Sequence, residues 1–195
     1  MDLSPPEPKL APPGAGIPIH HKLFLRWFVI RFVANRTHSE VSKKRFERST
    51  QKILSELENI PLEKLSKKVL VPPQMGLEDS SRFWSIQMTL EHLCIVGRQV
   101  CLGIEGLQVG QIPTAEADTA AVKPLGTQEF SQTLRDYKKF AEEDFYKMKL
   151  EGLNSSLRYK HPWFGPMNAK QWYWLLPIHQ NIHLQQIRKI KEGLS

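Results

Sequence analysis

The 195-residue chain has two cysteines, no long uninterrupted apolar run and few strand signals. Each of these shortages excludes something. Cys94 and Cys101 are seven residues apart on one predicted helix, a rise of about 10 Å, whereas a disulfide needs Cα atoms within about 7 Å. They cannot bridge each other, which fits a reducing compartment such as the cytoplasm. The most apolar stretch, Leu23 to Ala34, is interrupted by Arg26 and Arg31. It is too short and too charged to span a bilayer, which takes about 20 apolar residues. It reads as an extra helix packed on the domain, with an interfacial helix as the alternative. The opening MDLSPPEPKLAPPGAGIP lacks the basic-then-apolar order of a secretory signal. Residues 1–19 read as a disordered proline-rich leader whose removal as far as Gly16 leaves stability unchanged. Residues 20–40 read as an accessory helix and linker, and residues 41–195 as the main domain.

Familiar catalytic signatures are missing as well. There is no Gly-rich phosphate loop and no Gly-x-Ser-x-Gly elbow. A zincin would carry glutamate directly after its first histidine; Gln180 follows His179 and cannot take a proton. A di-iron carboxylate bundle needs Glu-x-x-His, but Thr89, Leu176 and Gln180 stand three residues before His92, His179 and His183. The formal net charge is +7, but lysines and arginines are spread along the chain. A nucleic-acid reader concentrates them, so nucleic acid is not the expected partner. A solvated basic surface, or attraction of small anionic substrates, is the better reading.

What the sequence does contain is helical periodicity. Four helices are expected, over residues 41–59, 81–106, 127–152 and 168–193. In the first, Phe46, Ile53, Leu57 and Ile60 recur at helical spacing before Pro61. The second starts at a Ser80 or Ser81 cap. The third carries Phe130, Leu134, Tyr137, Ala141, Phe145 and Met148 on one stripe. The fourth opens with Asn168 and Gln171 as a capping box. Pro177 within it predicts a kink, or a break with a new segment starting there. Four amphipathic helices of similar length imply an all-α four-helix bundle.

The fourth helix holds the main anomaly. Trp172, Leu176, His179, His183, Ile187 and Ile190 follow three- and four-residue steps, so two histidines lie on the seam that faces the interior. Two bare imidazoles there would each cost roughly 1–3 kcal/mol if unpaired. A metal ion satisfies both, because side chains at i and i+4 converge. The alternative is a pair of hydrogen-bonded core histidines. A third ligand is available in His92, which shares a stripe with Met88, Ile95 and Gln99 on the second helix. Cys94 and Cys101 lie about 200° and about 180° around that helix, which excludes both as co-ligands of His92. Three histidines with a position open resemble a catalytic rather than a closed structural site. His20, His21 and His38 fall in the N-terminal region, and His161 precedes a proline in a loop, where exposure or a capping contact is the default. No general base stands out: Glu91 points about 100° away from His92, and Glu142 and Glu143 read as solvated. Arg98 and Gln99 are candidates to hold an anionic substrate at the mouth of the site.

Two stretches carry a family resemblance. WSIQMTLEHL, with a histidine in mid-helix, and HPWFGPMNAKQWYWLLPIHQNIHLQQI, with a His-Pro-aromatic-aromatic-Gly loop, a cap, a Trp and paired histidines, resemble the DinB/YfiT-like superfamily over about residues 41–193. The resemblance implies a four-helix bundle holding nickel or zinc on three histidines, which map onto His92, His179 and His183. It also implies, for several members, a transferase or isomerase that uses a low-molecular-weight thiol; the function expected here is a metal-dependent transferase or hydrolase acting on a small molecule, with a non-enzymatic helical bundle or a basic adaptor as the alternative. The segment up to Asn35 lies outside the pattern and leaves the oligomeric state open, a homodimer included.

Overall fold

The computed structural model describes residues 7–194. Among them the chain is mostly helical, with two short strand pairs. Helix α1 (Ile19–Phe24) runs on as a π-helix over Leu25–Ala34. It is followed by α2 (Ser39–Leu57) and a single turn, α3 (Leu62–Leu65). Strand β1 (Val69–Leu70) pairs antiparallel with β2 (Phe83–Trp84), in the register Val69 to Trp84. Helix α4 (Ile86–Gln108) leads through a long loop to α5 (Phe130–Lys139), which closes in a π turn over Phe140–Asp144. Strands β3 (Tyr159–His161) and β4 (Gly165–Met167) form a hairpin ahead of α6 (Ala169–Glu192). Helix α6 packs against both α2 and α4, and α5 packs on α4.

The expected boundaries hold for α2 and α6 and shift elsewhere. Helix α2 ends at Leu57, two residues before Asn59, whose φ of 64° lets the chain turn towards Pro61. The Asn168 cap is a full capping box. Its side chain accepts from the Gln171 N–H (2.9 Å), and the Gln171 side chain accepts from the Asn168 N–H (3.0 Å). The helix then runs through Pro177 as one element, so of the two expected outcomes, a kink or a break, the break does not occur. Helix α4 starts five residues later than expected. Its cap is Ser85, which accepts from the Met88 N–H at 3.1 Å, while Ser80 and Ser81 lie in a separate 3₁₀ turn. The intervening Phe83–Trp84 pair is drawn into β2.

The third helix is the largest correction: its α-helical part spans residues 130–139 rather than 127–152. Phe140 and Phe145 are both fully buried, yet five residues on an α-helix turn through about 500° and would point them apart. The π turn, in which the Phe145 N–H donates to the Phe140 carbonyl at 2.9 Å, brings both inward. Phe140 then rests on Gly97 of α4, where any Cβ would overlap its ring. Phe145 stacks between Phe46 (centroids 3.6 Å) and Tyr173 (5.1 Å), tying α2, α5 and α6 to one aromatic core.

The proline-rich segment is docked against the domain over part of its length. The Ala11 N–H donates to Asp79 (2.7 Å), and those of Gly14 and Gly16 donate to Glu78 (3.3 and 2.5 Å); Ile17 is buried. Contacts therefore begin well before residue 20, and the disordered-leader reading of residues 1–6 lies outside the described residues.

Candidate metal centre

Helix α4 presents His92 and α6 presents His179 and His183, one turn apart, into the space between these two helices. Among the described residues these three bring one ligand atom each to within 4.8 Å of one another. The His179 Nε2 lies 3.2 Å from the His92 Nε2 and 3.1 Å from the His183 Nε2. The far nitrogens are held by acceptors. The Nδ1–H of His92 donates to the Val122 carbonyl (2.9 Å), and the Nδ1–H of His183 donates to the Gln186 side-chain oxygen (2.6 Å). The Gln186 amide is itself oriented, because its NH₂ donates to the Ser81 carbonyl (2.7 Å).

These partners assign the tautomers. With protons on Nδ1, His92 and His183 turn bare Nε2 lone pairs toward His179. A neutral His179 carries one ring proton and can donate to only one of them. At least one close nitrogen–nitrogen contact therefore has no proton directed along it, and a buried lone pair is left without a donor, which is costly in a buried site. A cation among the three removes that conflict. Two imidazole nitrogens bound at about 2.0–2.1 Å and a tetrahedral angle stand about 3.4 Å apart, near the observed spacings. The donor set thus fits a divalent ion. The outer hydrogen bonds are of the kind that orient ligating histidines.

Burial also holds these imidazoles in their ligating, neutral form. Desolvation pushes His92 down to about 4 against the opposing Val122 hydrogen bond, and His183 to about 3. His179 is lowered well below its ordinary value by desolvation and then by its two histidine neighbours. Trp84, 2% exposed, closes the back of the cluster, with its ring parallel to that of His183 (6.3 Å between centroids) and 5.1 Å from that of His92.

Beyond the histidines lies a cavity of about 160 Å³. Its walls are mainly apolar and aromatic, including Trp84, Val96, Tyr159, Trp163, Trp172 and Leu176, with Gln99, Asp118 and Lys123 among the polar groups. Gln99 therefore stands where a substrate could touch it. Arg98 does not. One residue earlier on α4, it turns to the opposite side and pairs with Asp144 (3.2 Å) and the Asp136 carbonyl (3.3 Å). Cys94 lies on that other side too, and burial pushes both thiols up to about 12, so neither offers a thiolate. Glu91 accepts from the Leu125 and Gly126 N–H groups, anchoring the loop that supplies Val122. Glu142 and Glu143 are exposed.

Three participants escaped the sequence reading. His161 lines the cavity. Its Nδ1 accepts from the Trp163 and Phe164 N–H groups (3.0 and 3.4 Å), so its remaining proton is on Nε2, and burial lowers it to about 3. Glu78, a buried carboxylate on the cavity wall, accepts from the N-terminal segment and from the Ser80 hydroxyl. Gln186 orients His183. Only Gln186 had a sequence signal, a polar residue three positions after His183 on a helix whose partner face is apolar. The other two are delivered by loops.

Comparison with curated proteins and with solved structures returned no match in either case. A family model does match, over residues 45–187, a span that takes in α4, most of α6 and all three histidines. The chain belongs to the DinB superfamily.

Proposed function

We propose that the protein is a divalent-metal-dependent enzyme acting on a small molecule, a transferase or hydrolase, built on a DinB-type four-helix bundle of α2, α4, α5 and α6 with α1 as an added N-terminal helix. The observation that carries the reading is the convergence of three Nε2 atoms whose lone pairs have too few protons to satisfy one another. His92, His179 and His183 would hold the ion, nickel or zinc; imidazole suits both. Such an ion supplies Lewis acidity and lowers the pKa of a water or a small thiol.

The chain's own residues supply the rest. The Val122 carbonyl and Gln186 fix the ring orientations, so the ligand set is ordered before anything binds. Trp84, Trp172 and Leu176 keep bulk water from the inner wall, and Gln99 and Lys123 offer a donor and a charge to an anionic group on the substrate. Three neutral ligands leave the ion's charge undiminished, the condition for strong polarisation of what it binds. The mainly apolar walls favour a small organic substrate over a polymer. With two buried free cysteines, a cytoplasmic setting is the natural one.

The test is metal analysis of protein purified without a histidine tag, beside His179→Ala and His183→Ala. Stoichiometric nickel or zinc in the parent and its loss in both variants is the expected result. A parent that takes up neither ion when supplied with it would leave a helical domain that keeps the histidines without the chemistry.

A further inference from the structure

Helix α1 and its π-helical continuation carry a second feature, independent of the histidines. One face is buried on the domain, at Ile30 and Ala34. The other shows Phe24, Trp27, Phe28 and Phe32 to solvent, each 46–56% exposed, with Ile19, Leu23 and Val33 also exposed. Phe24, Phe28 and Phe32 form a continuous row, with ring centroids 5.6 and 6.0 Å apart. A contiguous apolar patch of this kind marks an interaction surface.

The charge around it selects the partner. From Pro8 to Ser39 there is no aspartate or glutamate, and there are five lysines and arginines: Lys9, Lys22, Arg26, Arg31 and Arg36. This segment carries +5 of the formal +7, leaving +2 for the remainder of the chain. Cations border the aromatic row: the Arg36 guanidinium lies 5.4 Å from the Phe32 ring centre and that of Arg26 5.7 Å from Trp27. A second copy of the chain would bring two +5 segments together across a twofold axis, and like charges repel. A nucleic acid offers phosphates but no apolar volume to receive Leu23, Phe24, Phe28 and Val33. An anionic bilayer supplies both, negative headgroups for the cations and acyl chains for the aromatic row. No described helix is long and apolar enough to cross a membrane, so the contact is with the surface.

We propose that residues 19–36 dock the protein on the surface of anionic phospholipid membranes, with the Phe24–Phe28–Phe32 row and Trp27 inserted at the headgroup level and the flanking cations on the headgroups.

The full-length protein is sedimented with vesicles of phosphatidylcholine alone and with vesicles containing about one-third phosphatidylserine, at about 0.1 M and about 0.5 M salt. The expected result is binding to the anionic vesicles, at least ~10-fold weaker at high salt and at least ~10-fold weaker for a Phe24→Ser/Trp27→Ser/Phe28→Ser variant. Lipids brominated near the headgroup should quench part of the tryptophan fluorescence of the parent, and that part should vanish in Trp27→Phe. The quenching decides the matter if the triple variant fails to fold. Absence of binding to anionic vesicles overturns the proposal. So does a parent that is dimeric in solution and made monomeric by the triple variant without vesicle binding, or one whose exposed row is needed for oligonucleotide binding and not for vesicles.

Discussion

The two ends of this molecule invert the usual distribution of side chains in opposite ways. Around His92, His179 and His183, polar groups sit inside; along α1 and its π-helical continuation, large aromatic groups sit outside. Both departures are informative, because a buried polar cluster and an exposed apolar patch each carry a free-energy cost that folding alone does not repay. They differ in how that cost is met. The histidine cluster is partly satisfied from within, by the Val122 carbonyl and Gln186, and could hold one central cation. The aromatic row of α1 and its π-helical continuation has ring contacts along itself and remains about half exposed. The first cost is met by hydrogen bonds within the fold, the second is left at the surface.

The contrast can be broken most sharply at the ligands. His179→Ala or His183→Ala should lower metal affinity by orders of magnitude, measured by competition with a chromophoric chelator, while far-ultraviolet circular dichroism stays near that of the parent. The helices are held by the Phe46–Phe145–Tyr173 core rather than by the ion. Serine at Cys94 or Cys101 should leave the metal in place.

Acid should act on the same end. In the metal-free protein His92, His161 and His183 have folded-state values near 4, 3 and 3, below the ordinary 6.5. The unfolded chain therefore binds more protons as pH drops below about 6.5. Stability should be complete above that pH and fall toward pH 4, by up to about 1.4 kcal/mol per pH unit for each histidine. Urea titrations across this range check it; a flat profile from pH 7 to 4 would contradict the burial of all three rings.

A smaller effect is expected one step outward. Gln186→Leu removes the acceptor of His183 and the donor to the Ser81 carbonyl, so metal affinity should drop about 10–100-fold. Removing residues up to Gly16, expected from the sequence to leave stability unchanged, should instead cost about 1–3 kcal/mol, because Glu78 loses two backbone donors and Asp79 one. The smallest change belongs to the other end. Serine substitutions in the α1 row should each alter folding stability by no more than about 0.5 kcal/mol, as for exposed positions generally, so that any loss of function there reports on a partner.

Much of the helical framework was legible in the sequence because apolar spacing and end signals coincide in it. The Asn168–Gln171 box and the seam from Trp172 to Ile190 define α6, and its two histidines had to share a face. The seven-residue step from His92 to Gln99 likewise set both on one side of α4, whereas the one-residue step to Arg98 turns that side chain about 100° away. The limits of α4 and α5 were not legible. A pairing between β1 and β2, sixty-nine to eighty-four in sequence number, pulls Trp84 out of the helix. A ring of α5 settling on Gly97 of α4 forces a π turn. Neither partner is visible from the local pattern.

The sequence by itself determined which residues could ligate an ion, since helical period depends only on spacing along one element. Tertiary structure alone decided that the three nitrogens meet, that Val122 and Gln186 fix the protons of His92 and His183, and that His161 and Glu78 join the cavity. Those depend on how loops and separate helices approach one another, and no spacing along a single element encodes that distance. The same division holds at the other end: the sequence showed α1 to be aromatic and basic, and only packing revealed which of its faces stays outside.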